Sequence, residues 1–367
     1  MLALRIVAVL VGVVLVVASI SSAVKTVVMP RARSSAITRS VFLAMRQVFG
    51  LLARSASGSE QRDRILSGYA PIALIATLAT WLVLVLAGFT LIFWGIEDAG
   101  WLVAFDVSGS SLFTLGFTTS LESWTSILVF LEAGIGLFLL ALMISYLPTL
   151  YSVYARREVG IAALEVRAGS PPSAREMIWR YRRLERLEEI HEVWVDWQRW
   201  FAEVEESHSS YPALVFFRGS HLDHSWVTSA GAVLDAAALT LSSVAIPRDV
   251  EAEFCIRAGY LCLREIAGYF DITYDPDPRP DDPISITREE FMGMLERFEE
   301  VGVPLMPDRE QAWRDYAGWR VNYDAPLLAL ARLTDAPPAE WSSDRADGPR
   351  IRPPVLRRRK GSTTPTT

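Results

Sequence analysis

A short stretch of small hydroxyl side chains, one glycine and aromatic rings lies between two long apolar runs. It covers residues 110–119 and reads Ser-Ser-Leu-Phe-Thr-Leu-Gly-Phe-Thr-Thr, and the apolar runs cover 71–95 and 124–150. Each run is long enough to cross a bilayer. Irregular backbone at membrane depth is tolerated only where it is buried in protein or lines a cavity. The stretch is therefore the first candidate for a functional site.

The order of these segments resembles the pore loop of the K⁺-channel family. Thr114, Leu115, Gly116 and Phe117 match the start of the Thr-Val-Gly-Tyr-Gly filter of that family, and residues 101–111 match its pore helix. The resemblance implies that backbone carbonyl groups of residues 114–117 replace the water shell of a permeant K⁺ or other monovalent cation. It implies no other cofactor. Because one chain supplies one filter strand, it also implies a homotetramer.

Two positions depart from the family pattern after the aromatic residue. Thr118 stands in place of the second filter glycine, and Thr119 in place of the following aspartate. The glycine serves a left-handed backbone conformation, which costs a β-branched residue roughly 1–3 kcal/mol. The departure therefore bears on the outermost ion site and on selectivity for K⁺ over Na⁺.

The second apolar run adds three candidates for pore lining or gating. Gly134 and Gly136 lie midway along it, where they could bend the helix on opening or permit close helix packing. Glu132 is an ionisable residue about two turns inside the run, which is costly unless it meets water, a partner or another chain. It could lie behind the filter or face an inner cavity and attract cations. Alternatively, it is a protonated acid bonded to pore-helix serines.

Charge asymmetry predicts a multi-pass protein of the cell membrane with three spans and a re-entrant loop. Residues 1–24 are predicted to be an uncleaved spanning helix, with a cleaved signal peptide as the alternative. Residues 25–70 are strongly basic and are predicted to form a cytoplasmic or interfacial segment. It includes an amphipathic helix on the inner leaflet or, as the alternative, a helix packed on the other spans. The pore domain is predicted over 71–157. The N-terminus is then outside and the C-terminal domain is cytoplasmic.

The remainder of the chain is predicted to be a soluble all-α domain over 158–344. Residues 159–169 are predicted to be a linker, and a long helix is predicted from a capping box at Ser173 and Glu176 to about residue 207. The stretch 225–244 is predicted to be a buried soluble helix, and 249–270 a further helix. Capping boxes at 287–290 and 308–311 predict two more helices, and a last one covers 325–334. Residues 345–367 are predicted to be a disordered basic tail.

Composition and motifs argue against an enzyme and against nucleic acid as a partner. The chain has a net charge of −6, and residues 151–344 carry most of its acidic side chains. His221, Asp223 and His224 could offer metal ligands, but no neighbouring pattern completes a metal site, so none is predicted. Cys255 and Cys262 are predicted to be reduced and buried. The sequence thus favours a cation channel, with a non-conducting membrane-anchored scaffold or sensor as the alternative.

Overall fold

The computed structural model describes residues 2–29, 35–97, 100–118, 125–219 and 224–345. These residues are helical almost throughout, and they contain no strand beyond one isolated antiparallel bridge between Val244 and Leu305. The predicted all-α class is confirmed. The chain divides into two compact units, Met1–Ala155 and Arg156–Thr367, close to the boundary predicted between residues 157 and 158.

The first unit contains long apolar helices and one short helix between two of them. Four helical segments of the described chain are long and apolar enough to cross a membrane, namely Leu2–Val27, Ala36–Arg54, Glu60–Ile96 and Ser126–Ala168. They are compatible with a multi-pass membrane protein. The helices are α1 (Leu2–Val27), α2 (Ala36–Arg54), α3 (Ser59–Ser67), α4 (Tyr69–Ile96), α5 (Trp101–Leu112) and α6 (Ser126–Ala168), the last of which continues into the second unit.

Helix α1 packs closely along α4 through glycines that face each other. A Cβ atom on Gly12 would lie 2.4 Å from the carbonyl oxygen of Gly88, and one on Gly88 would lie 2.8 Å from that of Gly12. Small residues permit such approach between membrane helices. Nearer the other end of the pair, Trp81 Nε1 donates a 2.8 Å hydrogen bond to Ser22 Oγ. Helix α1 therefore supplies part of the packing of this unit.

The second unit is built around helix α9, which is buried on nearly all sides. Nearly all of its side chains are small or apolar, so the helix can be buried on every side. Burial of the stretch 225–244 was predicted from the sequence. Aromatic side chains such as Trp194 and Phe201 fill the core around it. The helices of this unit are α7 (Ala174–Arg183), α8 (His191–Ser210), α9 (Trp226–Ser243), α10 (Val250–Tyr269), α11 (Arg288–Glu300), α12 (Arg309–Arg320) and α13 (Asp324–Thr334).

A buried ion-pair network joins α9 to α12 and α13. Arg320 Nη1 donates a 2.6 Å hydrogen bond to Asp235 Oδ1, and its Nε donates a 2.7 Å bond to Asp324 Oδ1. The hydroxyl groups of Tyr316 and Tyr323 also donate to Asp235 Oδ1. Because every charged group has a partner, the network can lie in the core. It explains the single carboxylate in the otherwise apolar α9.

Three local predictions for this unit are wrong. The predicted linker 159–169 is helical, since α6 runs to Ala168 and buries Ile161 and Leu164 in the core. The predicted single helix to residue 207 is broken, because α7 ends at Arg183 and Glu185 adopts a left-handed conformation with φ 56°. Ser173 does not cap α7 with its side chain, which bonds Glu340 instead.

The other capping predictions hold to different degrees. Thr287 and Glu290 form the reciprocal capping box at the start of α11. Asp308 accepts a 2.9 Å hydrogen bond from the backbone N–H of Gln311 and so caps α12. The Gln311 side chain bonds Asp315 and Arg314, so the box is not reciprocal there. In the predicted basic tail, Arg345 pairs with Glu290, and residues 346–367 lie outside the described residues.

Candidate functional site

Helix α5 ends in a left-handed turn that carries the chain into the candidate loop. Phe113 follows the last helical residue, and Thr114 has φ 53°. The Thr114 N–H donates a 3.0 Å bond to Ser111 O, and the Leu115 N–H donates a 2.8 Å bond to Ser110 O. These are the two bonds of a Schellman motif, whose left-handed position is usually occupied by glycine. Here threonine occupies it.

The loop then bends back toward the helix that it leaves. Gly116 has φ 72°, and the Thr118 N–H donates a 3.2 Å hydrogen bond to Ser110 Oγ. Within the described part of the loop, positive φ values therefore fall on Thr114 and Gly116. The resemblance implies a left-handed backbone conformation at Thr118. In the structure, the turn at Gly116 brings Thr118 back to α5, and Thr118 does not have a positive φ. Thr119 lies outside the described residues.

Three apolar side chains of the loop are uncovered within a single chain. Phe113, Leu115 and Phe117 are 51%, 63% and 66% exposed, whereas Ser108, Ser110 and Ser111 on α5 are buried. Contiguous exposed apolar groups of this size mark a surface that meets lipid or another protein chain. The polar side of the helix thus faces into the unit, and the apolar side of the loop faces away.

Glu132 lies inside the unit, against the same helix. Its side chain is fully buried, and its Oε1 lies 2.5 Å from Ser108 Oγ. Ser108 Oγ also lies 3.1 Å from the carbonyl oxygen of Leu86 on α4. One serine therefore connects α4, α5 and α6 through polar atoms. The serine contact is one of the arrangements open from the sequence, and within a single chain the Glu132 side chain does not face open space.

The two glycines of α6 have different surroundings. A Cβ atom on Gly136 would lie 2.4 Å from the carbonyl oxygen of Leu112, the last residue of α5. Nothing lies within 4 Å of the corresponding position on Gly134. Gly136 therefore permits α6 to approach the end of α5. At Gly134, no described neighbour is close enough to require a residue without a side chain. α6 also contains Pro148, which breaks one backbone hydrogen bond of the helix.

A second buried carboxyl group was missed by the sequence reasoning. Glu97 is 2% exposed at the end of α4, and Thr125 donates a 2.6 Å hydrogen bond to its Oε1. Sequence reasoning singles out Glu132 because it lies inside an apolar run, whereas Glu97 follows the end of one. No pattern in the sequence pairs it with a threonine 28 positions later. The neighbouring acids Asp98 and Glu122 lie outside the described residues.

The electrostatic surroundings of the loop favour cations. The carboxyl end of a helix carries partial negative charge, and α5 ends at the loop. The sequence contains no Lys, Arg or His between Arg64 and Arg156. Nothing basic on α4 or α5, or on α6 before Arg156, opposes a positive ion near the loop.

The histidines make separate contacts rather than a shared site. His191 bonds Asp249, His208 bonds Arg157, and His224 bonds Glu165. Among the residues that the structure describes, no three His, Cys, Asp or Glu side chains are placed to hold a metal ion. His221 and Asp223 lie outside those residues.

Comparison with known proteins gives no relative. No protein-family model, no curated protein and no solved structure matches the chain.

Proposed function

We propose that the protein is a membrane cation channel whose pore is formed by four copies of the chain. One observation carries the proposal: a short helix packed between two apolar helices ends in an exposed loop with the sequence Thr-Leu-Gly-Phe. Backbone carbonyl groups of Thr114, Leu115, Gly116 and Phe117 then replace the water shell of the ion. Potassium is the first candidate ion, and the protein itself acts as a conductor and not as an enzyme.

The charge distribution supports cations as the permeant ions. Partial negative charge at the end of α5 stabilises a positive ion beside the loop. In a low-dielectric surrounding this effect is larger than at an aqueous surface. The sequence between Arg64 and Arg156, which includes α4, α5 and the first part of α6, contains no basic residue to oppose it.

The uncovered loop supports assembly with further copies. A single chain provides one set of carbonyl groups, which cannot surround an ion. Phe113, Leu115 and Phe117 are more than half exposed in the single chain, and neighbouring copies or lipid would cover them. The partners proposed are thus other copies of the chain and the lipid bilayer, with no nucleic acid.

We propose three spans, formed by α1, α4 and α6, with α5 and its loop re-entrant between the last two. If α2 also crossed the membrane, the basic segments before and after it would lie on opposite sides, against the positive-inside rule. Lys25, Arg31 and Arg33 precede α2, and Arg62 and Arg64 follow it. With α2 at the inner surface, the N-terminus is outside the cell membrane, and the second unit is cytoplasmic.

Ion flux in liposomes tests the proposal. The purified full chain is reconstituted, and K⁺ and Na⁺ flux are measured in parallel with Gly116→Ala and Gly50→Ala. Gly116 has φ 72°, which an alanine adopts only with strain, whereas nothing lies within 4 Å of a Cβ on Gly50. We expect flux from the wild type and Gly50→Ala, and a loss in Gly116→Ala. A folded tetramer that conducts neither K⁺ nor Na⁺ would contradict the channel proposal.

A second candidate function is a non-conducting anchor that holds the second unit at the membrane as a scaffold or sensor. It is favoured by the hydrogen bonds from the N–H groups of Thr114, Leu115 and Thr118, since these hold the loop on α5 of its own chain. The same flux experiment separates the two candidates. An anchor gives an assembled protein with no flux of either ion.

A further inference from the structure

Glu132 is a buried carboxyl group with one hydrogen-bond contact and one oxygen that has none. Its side chain has no exposed surface, its Oε1 contacts Ser108 Oγ, and its Oε2 has no hydrogen-bond partner. An ionised carboxylate accepts up to about four hydrogen bonds, two at each oxygen. An isolated buried charge without partners is one of the most costly arrangements in a protein.

The groups facing Glu132 supply no positive charge. From α5 it meets the hydroxyl groups of Ser108 and Ser111, and neither is basic. Glu97 at the end of α4 is bonded to Thr125, and Asp106 on α5 is exposed. Lys, Arg and His are absent from the sequence between Arg64 and Arg156. A negative charge at Glu132 would therefore have no counter-charge on α4, on α5 or on α6 before Arg156.

The hydroxyl hydrogens of Thr90 and Ser111 are used by backbone carbonyl groups. Thr90 donates to Leu86 O at 2.7 Å, and Ser111 donates to Val129 O at 2.5 Å. Ser108 has one hydrogen but lies within bonding distance of two acceptors, Leu86 O and Glu132 Oε1. If the hydrogen of Ser108 goes to Leu86 O, the contact with Glu132 needs a second hydrogen. A proton on Glu132 Oε1 supplies it.

We propose that Glu132 is a proton-binding site inside the apolar unit. Its neutral carboxyl group donates to Ser108 Oγ, and Ser108 donates to the carbonyl oxygen of Leu86. The single proton thus completes a chain of hydrogen bonds that holds α4, α5 and α6 together. The neutral acid also leaves Oε2 as an uncharged carbonyl oxygen, whose lack of a partner costs far less than that of a carboxylate. This site does not depend on whether the protein conducts ions.

A protonated carboxyl in apolar surroundings reacts with apolar carbodiimides. The acid proton moves to a carbodiimide nitrogen while the carboxyl oxygen bonds to the central carbon, which gives an O-acylisourea with no leaving group. The acyl group then shifts to nitrogen and forms a stable N-acylurea. Both steps keep all atoms of the two reactants, and neither is a redox step. Dicyclohexylcarbodiimide is therefore a covalent probe for the proposed proton site.

Labelling of the full chain in membranes is the first test. Wild type, Glu132→Gln and Asp106→Asn are treated with dicyclohexylcarbodiimide, and labelled peptides are mapped by mass spectrometry. We expect one adduct on the peptide containing Glu132 in the wild type and in Asp106→Asn, and its loss in Glu132→Gln. Labelling of Asp106 without Glu132 would overturn the proposal.

Infrared spectroscopy gives an independent readout that needs no reagent access. The difference spectrum between wild type and Glu132→Gln at neutral pH is expected to contain the C=O stretch of a protonated carboxyl. Glutamine can donate to Ser108 in place of the acid, so the variant should unfold at nearly the wild-type temperature, whereas Glu132→Ala should unfold lower. Carboxylate bands in place of the acid band would contradict the proposal, whatever the labelling result.

Discussion

At the scale of single residues, His208 shows how burial fixes a protonation state in the second unit. Arg157 Nη1 lies 3.1 Å from His208 Nε2, and His208 Nδ1 lies 2.9 Å from Val204 O. The arrangement suits a neutral ring that donates from Nδ1 and accepts from Arg157 at Nε2. Burial, and secondarily the Arg157 charge, hold the pKa of His208 well below its ordinary value of 6.5.

This depressed pKa predicts acid sensitivity of the second unit. Below about pH 6.5 the unfolded chain binds a proton at this histidine that the folded chain does not bind, so the free energy of unfolding falls as the pH falls. The slope reaches about 1.4 kcal/mol per pH unit from this one group. We expect His208→Gln to have a lower unfolding free energy at pH 7 but a flatter dependence below pH 6.5.

Denaturant unfolding of the full chain in detergent, followed by tryptophan fluorescence at several pH values, measures this slope. His191→Gln is the matched control, because His191 is half exposed and bonds Asp249 at the surface. It should keep the wild-type slope contributed by His208. Equal flattening in both variants would show that the buried histidine is not the cause.

Residue types alone predict some of these roles and miss others. The capping box of Thr287 and Glu290 follows from local spacing, and it is present. Ser173 has the same local signature, but a carboxylate from residue 340 competes for its hydroxyl group. Glu97 and Thr125 pair across 28 positions, which no local rule reaches. Where two sites have the same local capping signature, contacts with residues distant in the sequence thus decide which of them forms the capping box.

At the scale of helices, the contact between α5 and α6 depends on one of two glycines that look alike in the sequence. The Leu112 carbonyl oxygen occupies the space where a side chain on Gly136 would begin. Because this neighbour is backbone at the end of a helix, it cannot rotate away as a side chain could. Gly134 meets nothing within 4 Å.

We therefore expect opposite effects of the same substitution at the two sites. Gly136→Ala should lower the free energy of unfolding by about 1–3 kcal/mol, as overpacking typically does. Gly134→Ala should be neutral or raise it by up to about 1 kcal/mol, since alanine favours helices over glycine. Thermal unfolding of the two variants in detergent measures the difference. Similar losses at both positions would mean that α5 and α6 do not meet as described.

Helix positions were more predictable than helix ends. Apolar runs of spanning length gave α1, α4 and α6, and the uniform apolarity of α9 predicted its burial. The break after Arg183 was not predictable, because the stretch that contains it is rich in good helix formers. The extension of α6 to Ala168 depends on the burial of Ile161 and Leu164 against helices far away in the sequence.

At the scale of the whole molecule, the part of α6 in the second unit presents an apolar face that no described residue covers. Val159 and Val166 are 69% and 75% exposed, and Ala162 and Ala163 between them are also exposed. Spacing of three, four and seven residues places these side chains on one side of the helix, as in helices that associate with each other. Copies of one chain in one membrane cross it in the same direction. The proposed tetramer therefore predicts that equivalent α6 helices meet through this face.

Disulfide formation between introduced cysteines tests that arrangement in membranes. Val166→Cys should give covalent dimers on mild oxidation, because equivalent positions of parallel helices lie close to each other. Leu164→Cys, whose position is 1% exposed in the core, is the matched control and should remain monomeric. Cys255 and Cys262 are fully buried, and burial raises the pKa of both thiols, so they stay unreactive. Dimers absent from Val166→Cys in a protein that still runs as a tetramer would place the subunit contacts elsewhere, and a monomer would exclude a pore of four chains.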